Sequence, residues 1–174
     1  EKQSIQATLF RADTRDLISS TRGLDKIYRP VNIPRAERQG IELTGKSGWG
    51  KNLNTEINVI LQDSDNSDTG KELPYTPSIK LKGKVLYTVP GTKTLLEGCI
   101  RYEGKRYNQV ENLSSQQLDA YTTLDVKITQ PFKFKGFAAD VYAKIDNLFD
   151  VDYENHLGYP NEGISVSAGV QVKF

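Results

Sequence analysis

Alternation with period 2 runs through almost the whole chain, and it limits the fold more than any other feature of the sequence. Apolar residues recur at every second position in eight runs, over residues 3–18, 38–48, 53–63, 78–89, 92–107, 121–130, 136–148 and 163–174. Such alternation puts one set of side chains on each face of a strand, and helical periodicity is almost absent. The runs exceed the usual soluble strand of about 5–6 residues. They match the roughly 9–11 tilted residues that cross a bilayer. The connections alternate too. Those at 49–52, 90–91 and 131–135 are short and carry turn residues, whereas those at 19–37, 64–77, 108–120 and 149–162 are long and polar. Short turns at one end and long loops at the other are the layout of a transmembrane β-barrel.

The two faces differ in chemistry. One carries Ile41, Leu43, Ile57, Val59, Leu61, Leu81, Val85, Leu96, Ile100, Val126, Ile128, Val141, Ile145, Val166 and Val170, with no charge among them. The other carries Glu42, Lys46, Glu56, Lys80, Lys82, Lys84, Glu97, Arg101, Asp125, Lys127, Asp140, Lys144 and Lys173. A soluble sandwich turns the apolar face to its core, and a membrane barrel turns it to lipid around a wet interior. Alternation alone fits both. The long runs, the unequal connections and the small residues Gly83, Gly98, Ala139 and Ala168 on the apolar face favour lipid, because a packed core wants larger side chains there. Trp49, Tyr87, Phe132 and Phe174 near the short turns suit an interfacial aromatic girdle.

Composition narrows the functions. A length of 174 residues fits one domain or at most two. The 23 Lys+Arg against 22 Asp+Glu leave no electrostatic case for a nucleic-acid partner. A single Cys and a single His exclude an internal disulfide, a Cys cluster and a multi-His zinc site. Cys99 faces the charged side by alternation and has no base partner, so it reads as inert. No cofactor is expected. No nucleophile–base–acid set can be assembled, so catalysis is not expected either. No apolar stretch is long enough for a transmembrane helix, and no signal-peptide pattern opens the chain. The chain lacks Met and starts Glu1-Lys2-Gln3 inside an alternating run. A removed leader or a longer parent protein is therefore expected.

The last 32 residues are the most distinctive. They contain Asn147-Leu148-Phe149-Asp150, Tyr153, Gly158-Tyr159-Pro160, Gly163 and a final alternating run to Phe174. This resembles the closing strands of TonB-dependent outer-membrane receptors, although Ile164 and Ser165 stand where that family usually has an Arg. Ala7-Thr8-Leu9-Phe10, Gln39-Gly40-Ile41-Glu42-Leu43 and Tyr121-Thr122-Thr123-Leu124-Asp125-Val126 resemble other strands of the same family, with Gln39 in place of an Arg. The resemblance implies an all-β, antiparallel transmembrane barrel in a Gram-negative outer membrane, with residues 1–174 as about the C-terminal third of a 22-stranded wall. It also implies active uptake of a scarce nutrient such as a ferric siderophore, haem or cobalamin. The implied partners are outer-membrane lipid, the nutrient itself, the TonB energy-coupling complex acting through a plug domain absent from this chain, and the barrel-assembly machinery. Gly169, Val172 and Phe174 resemble the signal that this machinery reads. Two other readings compete: a self-contained eight-stranded outer-membrane barrel with a structural or adhesive role, and a soluble β-sandwich binding module.

Candidate ligand contacts follow from position. Tyr75, Tyr107 and His156 lie in or beside long connections, where loop aromatics and histidines of the family hold chelates or haem. Tyr153 and Tyr159 lie there too; turn and loop packing is the stronger reading for any one of these four tyrosines, and for Tyr159 in particular. Arg101 lies on the charged face, where ion pairs with Glu97 and Glu103 are the competing reading. Lys80, Lys82 and Lys84 form a basic stripe that suits an anionic solute or a solvated lining. Asp63, Asp65 and Asp68 are spaced as candidate calcium ligands. The EF-hand pattern fails there, and a solvated turn is the competing reading.

Overall fold

A computed structural model describes residues 3–23 and 27–173. The elements in chain order are β1 (Gln3–Arg22), β2 (Tyr28–Trp49), β3 (Leu53–Asn66), β4 (Lys71–Glu72), β5 (Ile79–Thr88), β6 (Leu95–Glu103) and β7 (Arg106–Tyr107). A short 3₁₀ turn at Ser114–Gln116 follows, then β8 (Gln117–Leu118), β9 (Tyr121–Phe134), β10 (Phe137–Asp146), β11 (Glu154–His156), β12 (Tyr159–Pro160) and β13 (Ser165–Lys173). Eight long strands form one antiparallel sheet in the order β1-β2-β3-β5-β6-β9-β10-β13. Each lies beside its neighbours in the chain, as in an up-and-down barrel wall.

The sheet does not close, since β1 ladders with β2, β13 ladders with β10, and no ladder joins β1 to β13 among the described residues. That counts against a self-contained eight-stranded barrel. Nor does a second sheet cover the apolar face among the described residues, so the sandwich reading falls as well.

Two expectations about boundaries change. The connection expected over 19–37 is largely strand, because β1 and β2 continue as a tall hairpin to the pair Arg22↔Tyr28. Pro30 and Pro34 give this stretch the composition of a loop. β3 stops at Asn66 opposite Ala36, so above Ala36 β2 has a ladder on one side only, where a strand tolerates proline. The run at 92–107 is broken at Gly104-Lys105 into β6 and the separate β7.

Register lines the two faces up. One row across the sheet reads Ile5–Gly45–Ile57–Gly83–Ile100–Leu124. Another reads Thr55–Val85–Gly98–Val126–Ile145–Val166. The apolar side chains of this face stay uncovered: Ile57 is 48% exposed and Val166 73%. Near the short turns the same face carries exposed Trp49, Tyr87, Phe132, Phe134 and Phe137. Phe134 stacks between Phe132 at 6.4 Å and Phe137 at 4.7 Å. Phe134 and Phe137 extend the expected girdle, and Phe174 lies outside the described residues.

The opposite face is laced with cross-strand charge pairs. Lys46 meets Glu56 at 3.3 Å, Lys84 meets Glu97 at 3.3 Å, Lys127 meets Glu97 at 3.8 Å and Lys173 meets Asp140 at 2.8 Å. Pairs this exposed contribute about 0–1 kcal/mol each. Their main effect is to set each of these cations beside a carboxylate on a polar face.

Two of the motifs that carried the resemblance meet in this sheet, since Phe10 stands directly opposite Gly40. A Cβ on Gly40 would overlap the Leu61 carbonyl oxygen and stand 2.9 Å from both the Gln62 Cα and the Phe10 ring. Arg38 lies over that ring, 5.6 Å from its centroid. Gly40→Val is therefore expected to push β2 and β3 apart and to cost about 1–3 kcal/mol by overpacking. Heat-dependent mobility of the unboiled protein on detergent gels reads the loss, and an unchanged transition would overturn it.

Candidate ligand-capture site

The deepest burial in the molecule lies at the long-loop end. Ile33, Pro77 and Asn108 are its largest fully buried side chains. The loops interlock there through short polar contacts. The Gln62 side chain donates to the Pro77 carbonyl at 2.7 Å. The Thr21 hydroxyl donates to Glu111 at 2.8 Å, and the Arg22 N–H donates to Gln109 at 3.1 Å. Asn112 and Glu72 exchange side-chain and main-chain bonds at 2.6 and 3.0 Å. Through these bonds the β1–β2 hairpin and the connections at 67–78 and 104–120 form one cap above the sheet.

The last connection is shaped by the Asn147–Asp150 motif. Both residues adopt left-handed backbone conformations, with φ near 51°, which Asn and Asp accept more readily than other side chains. Asn147 is 4% exposed; its side chain closes a reciprocal pair with the Val151 main chain at 3.0 Å each way. Its N–H donates to Asp125 at 3.1 Å. The Asp150 carboxylate accepts the Ile164 N–H at 2.7 Å, and a Cβ on the intervening Gly163 would overlap that carboxylate.

Three of the loop candidates meet in this cap. The rings of Tyr75 and His156 lie 4.8 Å apart, tilted by 60°, and the Tyr75 N–H donates to the Tyr107 carbonyl at 2.7 Å. Burial pushes the Tyr75 hydroxyl above the usual tyrosine range. The neighbouring Tyr28 adds to the rise, and the Arg106 cation opposes it. The result is an aromatic face with one imidazole, able to stack on planar groups and to offer hydrogen bonds at its rim.

The remaining candidates lie elsewhere. Arg101 belongs to the charged face of β6 and pairs across the sheet with Asp125, which is 7% exposed. The expected pairs of Arg101 with Glu97 and Glu103 do not form. Along a strand those positions are about 7–13 Å away, and a cross-strand neighbour is nearer. Glu97 instead meets Lys84 and Lys127, and Glu103 meets Lys80 and Arg106. Lys82 is exposed beside Arg101 in the ladder. Asp63 accepts the N–H of Ser64, and Asp68 pairs with Arg35. Asp65 faces Glu37 and Glu72 in its ladders. Among the described residues no three His, Cys, Asp or Glu side chains are grouped to hold a metal ion. Gly169 lies under the Tyr142 ring, which a Cβ would approach to 2.7 Å. Val172 points outward, and Phe174 lies outside the described residues.

Sequence reading missed Arg106, Tyr121 and Asn155. Tyr121 stacks on Tyr153 at 4.1 Å and donates to Asn155 at 3.0 Å. Arg106 is 3% exposed. Its only signal is a charged residue at the end of an alternating run, which reads as a solvated strand end.

Comparison with known proteins agrees with this geometry. Residues 1–148 match the sequence profile of the family described as TonB dependent receptor-like, beta-barrel. The chain is 30% identical over 145 residues to the vitamin B12 transporter BtuB of Photobacterium profundum, a match covering 83% of this chain and 23% of that protein. BtuB of Vibrio cholerae serotype O1 is 28% identical over 148 residues, with 83% and 22% covered. Among solved structures, BauA, the ferric preacinetobactin receptor of Acinetobacter baumannii, superposes with a TM-score of 0.79 at 17% identity, over 99% of this chain and 27% of that one. The copper transporter OprC does so with a TM-score of 0.77 at 18% identity, over 98% and 28%. These two likenesses bear on the fold alone. The chain spans about a quarter of the length of each of these proteins. It belongs to the TonB-dependent receptor β-barrel family.

Proposed function

We propose that residues 1–174 form the C-terminal wall and extracellular loops of an outer-membrane receptor that imports a scarce nutrient by TonB-dependent active transport. The observation that carries this reading is the polarity of the sheet. Its uncovered face is apolar and edged with aromatics, its opposite face is charged and paired, and an interlocked loop cap stands at one end. Lipid suits the first face, a filled or wet lumen the second, and a soluble ligand the cap. A plug domain elsewhere in the receptor would occupy the lumen and engage the TonB complex. Gly169, Val172 and Phe174 would present the last strand to the barrel-assembly machinery. Ferric siderophores, haem and cobalamin remain the nutrient classes, and the 30% identity to a vitamin B12 transporter makes cobalamin the first to test.

The test is uptake of radiolabelled cyanocobalamin, of iron-55 haem and of a panel of iron-55 siderophores, by cells with and without the receptor. Loss of uptake of one of these in the deletion strain, and its collapse on adding a protonophore, is the expected result. Equal uptake of all of them in both strains, or uptake that survives the protonophore, would overturn it.

A further inference from the structure

We infer that Arg106 is the positioning residue that builds the Tyr75–His156 face, an inference that rests on the ligand-capture role proposed above. β7 acts as a jig for both rings. The Tyr107 carbonyl fixes Tyr75 through its N–H at 2.7 Å. The Arg106 side chain, one residue earlier, fixes the segment that carries His156. Its Nη2 donates to the Glu154 carbonyl at 2.8 Å and to the Asn155 Oδ1 at 3.3 Å. Its Nη1 forms no hydrogen bond and sits 3.6 Å from the Glu103 carboxylate. Its guanidinium carbon lies over the Tyr121 ring, 5.5 Å from the centroid, and the Tyr121 hydroxyl donates to the same Asn155 Oδ1 at 3.0 Å. Asn155 is thereby gripped from two sides, and the residue after it is His156.

A buried guanidinium is costly unless its donors are used. Here one nitrogen, Nη2, serves both a main-chain carbonyl and a side-chain amide of another loop, and Nη1 faces the Glu103 carboxylate at 3.6 Å. Lysine carries one compact charge on a shorter stem and lacks the flat cation that meets the Tyr121 ring and Glu103 while Nη2 bonds the second loop. The ligand would therefore meet a face assembled in advance, which lowers the ordering cost of binding. Arg106 touches no ligand in this scheme, because its side chain is consumed inside the cap.

The experiment compares the intact receptor with its Arg106→Met and Arg106→Lys variants by hydrogen–deuterium exchange read by mass spectrometry. Arg106→Met is expected to speed exchange over 153–161 and at the Tyr75 amide by about tenfold, with the strands of the apolar belt unchanged. Arg106→Lys keeps a cation beside Glu103 and is expected to loosen the same segments. Unchanged protection of 153–161, full rescue by lysine, or equal loosening of the belt strands would each overturn the inference. Where cyanocobalamin is taken up, Arg106→Met and His156→Ala should each raise the half-saturating concentration without lowering maximal uptake. The double variant should add nothing further; additive effects would overturn the coupling. If the exchange result holds while His156→Ala leaves half-saturation untouched, Arg106 still positions the face, and it is the capture role that fails.

Discussion

Replacing Ile100 with arginine is expected to destabilise the receptor by about 2–4 kcal/mol, the cost of a cation at the middle of a lipid-facing strand. Ile100 lies in the row Ile5–Gly45–Ile57–Gly83–Ile100–Leu124, well away from the aromatic edge, and points to the uncovered side. Its chain neighbour Arg101 points the other way and is paired with Asp125. A cation is therefore costly at residue 100 and at home on the opposite face. Lys82→Gln, which removes an exposed cation from the charged face, is expected to stay within about 0.5 kcal/mol. Denaturant unfolding of the intact receptor in phospholipid vesicles measures both. Tolerance of Ile100→Arg at the level of Lys82→Gln would show that this face does not meet lipid.

Asp125→Leu is expected to cost about 3 kcal/mol, because one carboxylate holds together parts of three strands. It neutralises Arg101 of β6 from its place on β9, and it accepts the N–H of Asn147 where the chain leaves β10. Leucine would leave the buried Asn147 N–H without an acceptor and the half-exposed Arg101 without its counter-ion. Bonds to charged groups are worth about 1.5–3 kcal/mol each, and losing one partner exposes the full desolvation cost of the other. Asp125→Asn keeps an acceptor for Asn147 and loses the charge, so about half of that cost is expected. The midpoint of the heat-dependent gel shift ranks the variants. Equal shifts for Leu and Asn would mean that the Asn147 bond contributes nothing.

The fold was legible because the signals that set it repeat at short range. Alternation fixed which side of each strand carries charge, and the rows from Ile5 to Leu124 follow that assignment. The motifs behind the family resemblance also prove to be packing devices. Gly40 makes room for Phe10, Asn147 seats on Asp125, and Asp150 leaves no space for a side chain at residue 163. The capture face was half legible. Tyr75, Tyr107 and His156 could be named as loop residues, but their meeting depends on pairings about 30 to 80 residues apart, which no local pattern encodes. Arg106 was invisible for the converse reason. Arginine at a strand end normally points to water, and here the distant Glu154, Asn155 and Tyr121 come to meet it. Prolines misled at 19–37, since Pro30 and Pro34 occupy a stretch of β2 with a partner on one side only.

The chain-neighbour order of the long strands has a consequence for how such walls change over time. Every ladder joins strands consecutive along the wall, so a hairpin is a self-contained panel. Inserting or removing a whole panel returns the next strand in the same direction, with its long loops still at the same end and its apolar stripe still on the same face. A single strand gained or lost would send every later turn to the wrong side. Growth and shrinkage by pairs is thus built into the connectivity, and wall circumference can drift in evolution while the polarity of every surviving strand is preserved.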